Sequence, residues 1–201
     1  LGGIKRQLDK LEEAAAHFET VLKINPKFEL AYYELAGVRL FQNKPIITLA
    51  TLKKASEQFK PRFISKFYAG LAYSALYQYP KAIENLLNAE KLAQAGEQNR
   101  LTHFFYFQLG AAYERNREYK TAGKTFNKAI EMSPEYHNAM NYLGYMWADI
   151  NRNLDEAAKH ITMANKLSPD NASYVDSLGW LYFRQGKFTE ALAELQRAAE
   201  L

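Results

Sequence analysis

Apolar residues recur along this chain at intervals of three and four, and short polar stretches interrupt them at a regular spacing. In residues 103–134, Leu109, Gly110 and Tyr113 fall within about one helical turn, and Tyr119, Ala122, Phe126 and Ala129 continue the period. That is the signature of helices buried along one stripe. Residues 114–118 are polar throughout, so the spacing predicts a helix, a short turn and a second helix. The same unit returns further on. Gly110, Gly144 and Gly179 stand 34 and 35 residues apart, and Tyr113 is matched by Trp147 and Tyr182. Ala122 is matched by Ala157 and Ala191, Phe126 by Ile161 and Leu195, and Ala129 by Ala164 and Ala198. Pro134 and Pro169 close two of the units. One such hairpin cannot bury both its faces, so several must stack.

These columns resemble the tetratricopeptide repeat (TPR) family, and the resemblance covers essentially the whole chain. It implies an all-α fold, a right-handed α-solenoid of helix-turn-helix repeats. The expected organisation is a single array over 1–201: a partial repeat 1–28, repeats of about 29–62, 63–102, 103–136 and 137–171, and a partial repeat 172–201. Leu1 and Gly2 take the Leu–Gly columns of a first helix, and Leu11, Ala14, Phe18 and Val21 the stripe of its partner. Ala36 stands where other repeats carry glycine, and Pro45 falls at the start of a second helix, where its missing N–H does no harm. Gly70 to Gly110 is 40 residues. The surplus lies in 93–101, expected to be an extended helix ending at Gly96 and then a polar loop, a flexible joint between repeats. The chain opens within a hairpin and ends in a second helix without a polar cap, so it is expected to be a fragment of a longer protein.

Composition narrows the function classes. There are no cysteines, so disulfides, thiolate zinc sites and thiol catalysis are excluded. The net charge of +4 drifts from 11 basic and 7 acidic side chains in 1–62 to 6 basic and 8 acidic in 137–201. That is no basic stripe for nucleic acid. No apolar run reaches the length of a membrane span, and no secretory leader pattern is visible. The lack of cysteine does not fix the compartment, because a helical array needs no disulfide in an oxidising space.

Candidate chemistry is sparse. Gly123-Lys124-Thr125 ends like a phosphate loop, but Glu118 replaces the required glycine and the tripeptide lies within a helical stripe. His103 and His137 share a column and could approach each other, yet lack a third ligand. Asp155 reads as a helix cap, and nothing gathers an acid, a base and a nucleophile. No catalytic residue, metal or cofactor is therefore expected.

The first helices are more informative. Tyr33, Phe67, Leu71, Phe104, Phe107, Ala111, Asn138, Asn141, Tyr145, Asp176, Trp180 and Phe183 lie outside the structural columns, where the resemblance places the inner surface of the superhelix. An aromatic-lined concave face points to protein binding. Asn138 and Asn141 are expected to hydrogen-bond a partner peptide, with rings filling the spaces between its side chains. The family's basic carboxylate clamp is missing, since Tyr33, Gly37, Phe67, Leu71 and Phe104 stand in its columns. Residues 142–201 are also similar to the ends of bacterial envelope TPR proteins, lipoprotein adaptors among them. The expectation is a non-enzymatic adaptor or scaffold binding a partner's peptide or helix. Its alternatives are a self-assembling (homo-oligomeric) scaffold, or the regulatory array of an enzyme whose catalytic domain lies elsewhere.

Overall fold

The computed structural model describes residues 2–201, with side chains from Lys10 onward. Among them are eleven α-helices and no strand. They form two compact units, residues 1–101 and 102–201, dividing just after the 93–101 segment.

In the first unit, α1 (Gly2–Ile24) precedes two hairpins: α2 (Glu29–Phe41) with α3 (Pro45–Ser56), and α4 (Phe63–Ala75) with α5 (Tyr79–Gly96). A 3-10 turn at Gln98–Arg100 follows. Where the sequence pattern expects the end of one helix and the whole of another in 1–28, α1 runs without interruption. No glycine or proline lies between Gly3 and Pro26 to stop it. Leu1 lies outside the described residues. In the second unit three hairpins follow in order: α6 (His103–Arg115) with α7 (Tyr119–Met132), α8 (His137–Asp149) with α9 (Leu154–Leu167), and α10 (Ala172–Arg184) with α11 (Phe188–Glu200).

Every hairpin turns the same way. Asn43, Tyr77, Arg117, Asn151 and Gly186 have φ between 54° and 76°, in the left-handed region that ends a helix. The N–H after each reaches back five residues, as in Lys44 to the Arg39 carbonyl and Glu118 to the Tyr113 carbonyl, both 2.9 Å. The turn after α8 holds one residue more, and Asn153 takes a second left-handed conformation there.

The recurring glycine is a packing device. A Cβ added at Gly70, Gly110, Gly144 or Gly179 would stand 2.6–2.8 Å from Leu86, Phe126, Ile161 or Leu195 on the partner helix. The large residue of the second helix thus sits directly on the backbone of the first. Phe126 and Ile161 are wholly buried as a result. Successive hairpins of the second unit lock through Trp147, which packs against both the Phe126–Met146 and the Ile161–Leu181 clusters. It occupies the space that a side chain at Gly123 would need, 2.6 Å from the site of a Cβ. Gly123-Lys124-Thr125 therefore lies in a packed helix and forms no loop.

Candidate functional site

Three first helices, α6, α8 and α10, carry most of the candidate residues, and all belong to the unit 102–201. On this unit is a cleft of about 510 Å³, lined by Arg115 from α6, Asn141, Tyr142 and Tyr145 from α8, and Asp176 from α10. Alanines and Leu195 of α11 form another part of its wall. Asn141 and Tyr145 are four residues apart and so share a helix face. Asp176 occupies on α10 the register position that Asn141 holds on α8.

Asn141 is the unusual member. Only 7% of its surface is exposed, and its Oδ1 has no hydrogen-bond partner among the described residues. Such an acceptor is costly to leave unmade. Tyr145 is 40% exposed, a broad ring surface beside that amide. Burial foremost, then the negative charges of Asp149, Asp176 and Glu114, hold its hydroxyl above the usual phenol range, while Arg115 opposes them. Arg115 Nε stands 3.2 Å from Glu114 Oε2, so its charge is already paired. Burial also pushes the Glu114 carboxyl up; Arg115 pulls it down and Asp149 adds to the rise.

The other expected residues fall elsewhere. Asn138 is exposed, but its Oδ1 accepts a hydrogen bond from the Tyr174 hydroxyl, which also meets His137 Nδ1 at 2.7 Å. Its carboxamide oxygen is thus occupied in tying α8 to α10. Phe107 is held edge-to-face by Tyr142 and Tyr136, at ring distances of 5.0 and 5.5 Å. Phe104 is exposed. Trp180 is half-buried against the Ala148–Leu181 cluster, and its Nε1 has no acceptor among the described residues. It stacks on the exposed Phe183 at 5.4 Å. Neither ring lines the cleft.

Tyr33 and Phe67 need correction as surface residues. Both are buried in the unit 1–101. Tyr33 joins the core around Leu52, Ala55 and Ala69 and donates its hydroxyl to Glu29 Oε1 at 2.8 Å. Phe67 stacks on Phe63 at 5.4 Å. Ala69 of the next hairpin packs in the Tyr33 cluster, while Phe67 meets Phe63 and Tyr68 of its own helix; burial of such large apolar surface is stabilising. His103 and His137 do not pair either: each instead meets a tyrosine ring, Tyr136 and Tyr174. Among the described residues no group of three His, Asp or Glu could hold a metal, and no helix is long and apolar enough to cross a membrane.

Sequence reasoning missed Arg115 and Tyr142. Arg115 is in register with Asp149, each ending a first helix, and carrying the repeat columns to their last residue finds it. Tyr142 reads as an ordinary ring next to the Leu143 column.

Tetratricopeptide repeat family models match residues 107–172 and 151–201, and a further one matches residues 1–28. The chain is similar to TPR repeat-containing protein PA4667 of Pseudomonas aeruginosa, 34% identical over 87 residues, which are 43% of this chain and 15% of that protein. It is 30% identical over 98 residues to anaphase-promoting complex subunit 3 of Schizosaccharomyces pombe, covering 49% of this chain and 15% of the relative. The matches thus span about a seventh of these two proteins' lengths. Among solved structures, YrrB, a TPR protein with an unusual peptide-binding site, superposes with a TM-score of 0.71. It is 22% identical, and the match covers 93% of each chain. These likenesses agree with an α-solenoid of helix-turn-helix hairpins.

Proposed function

The chain belongs to the tetratricopeptide repeat family, and from that premise we propose that it is a non-catalytic adaptor that captures an extended segment of a partner protein in the cleft of residues 102–201. The observation that carries this reading is the buried Oδ1 of Asn141, unpartnered among the described residues, in a cleft edged by Tyr142 and Tyr145. An acceptor in that position asks for an N–H donor. An extended peptide presents backbone N–H groups, whereas a helical partner has already satisfied all but its first few. Tyr145 offers a ring with little conformational entropy to lose, the kind of side chain that anchors interfaces. Asp176, across from Asn141 in register, adds a carboxylate to the same cleft. The likeness to YrrB supports peptide binding as a use of this fold, and the relative in the anaphase-promoting complex supports service within an assembly.

The test is selection of peptides from a displayed random library on the 201-residue chain, followed by titration of the enriched sequences. Asn141→Leu keeps the branched shape and removes the unsatisfied oxygen, so the fold should be about as stable as before. Affinity should nonetheless fall by ~2 kcal/mol, and Tyr145→Ala should match it. Retention of full affinity in both variants, with melting curves unchanged, rejects this cleft.

A further inference from the structure

The charge around the cleft runs against the charge of the chain. Overall the protein carries +4, yet three carboxylates, Glu114, Asp149 and Asp176, act electrostatically on Tyr145 against a single guanidinium, Arg115. Arg115 and Glu114 form an ion pair with each other. Asp149 and Asp176 are exposed and form no ion pair among the described residues. Charges more than ~8 Å away are largely screened by salt. What a ligand meets at Tyr145 is therefore an electronegative surface, next to an amide acceptor that lacks a donor.

Resting on the peptide-binding reading above, we infer that the partner segment is basic: a lysine or arginine side chain lies along the Tyr145 ring with its charge against Asp149 and Asp176, and the segment's backbone N–H bonds Asn141 Oδ1. Each part fits the chemistry. Carboxylates accept from cations in charge-assisted bonds, and a phenol face attracts a cation above it. The raised hydroxyl of Tyr145 stays protonated, so the ring adds no competing anion. An acidic segment is disfavoured, because Arg115 is already matched by Glu114 while two carboxylates remain to repel it.

The experiment uses three sets of fluorescein-labelled peptides, alike except for lysine, glutamate or glutamine at fixed positions, titrated against the 201-residue chain by anisotropy. Lysine peptides should bind most tightly and weaken as salt rises. The Asp149→Asn/Asp176→Asn variant should lose about tenfold for lysine peptides, equivalent to ~1.4 kcal/mol, with glutamine peptides unaffected. Tyr145→Phe should retain lysine binding. Tighter binding of glutamate peptides, or lysine affinity unchanged in the double variant, overturns the inference. Equal binding of all three sets that still depends on Asn141 sinks the charge preference alone and leaves the cleft standing. No binding of any set, together with no enrichment from the random library, sinks both.

Discussion

Gly144→Ala isolates the contact on which the hairpin packing depends. Within an exposed helix this substitution stabilises by up to ~1 kcal/mol, because alanine loses less backbone entropy than glycine. At position 144 the added Cβ would stand 2.6 Å from Ile161 Cγ1, 2.9 Å from the Ala157 carbonyl oxygen and 3.2 Å from the Ile161 backbone nitrogen. Two of the three obstacles are backbone, so no side-chain rotation relieves them. The whole of α9 must move out by up to ~1 Å to restore ordinary contact, which loosens Ile161 and Ala157, both wholly buried. Overpacking of this kind costs ~1–3 kcal/mol, larger than the propensity gain, so the net effect is destabilisation by ~1–2 kcal/mol. For a unit of this size that lowers the melting temperature by roughly 5–15 °C. Circular dichroism melts and urea titrations of wild type and variant read it directly. Gly96→Ala is the control, since nothing stands within 4 Å of a Cβ there. A Gly144→Ala protein as stable as wild type would refute the argument that backbone approach, and not chance, places glycine in this column.

Two further substitutions test other parts of the structure. Arg117 holds φ at 63° in the turn before α7, a strained setting for a long side chain, which the chain fills with asparagine at 43 and 151. Arg117→Asn should therefore raise stability by ~0.5–1 kcal/mol, and an unchanged urea midpoint would contradict it. Burial above all, with the charge of Lys159 adding, holds the His160 imidazole below its ordinary range, and Glu156 only partly offsets this. The unfolded chain then takes up the proton first, so stability falls as pH drops below ~6.5. His160→Gln should remove that acid-side loss while changing little near neutrality. Parallel pH slopes for the two proteins would show that His160 is not responsible.

The helical class, the hairpin stacking and the need for glycine at 110, 144 and 179 are all decided locally. Periods of three and four specify which face of a helix is apolar, and a small residue facing Phe126, Ile161 or Leu195 is required wherever two backbones approach closely. The turns are equally local: a left-handed residue ends each first helix, and the extra residue after α8 is visible as an added letter between columns. Only the tertiary structure decided which first-helix rings stay available. Tyr33 and Tyr145 both read as first-helix rings outside the structural columns, yet Tyr33 is buried and Tyr145 is 40% exposed. The difference comes from how far the adjoining hairpin covers each position, and that depends on side chains distant in sequence. Asn138 and Asn141 make the same point. Both are amides on α8, but Tyr174, 36 residues from Asn138, takes the oxygen of one, while that of the other has no partner among the described residues. Hydrogen-bond satisfaction of a buried group is a property of the assembled core, so no single helix could have shown which asparagine was left waiting for a donor.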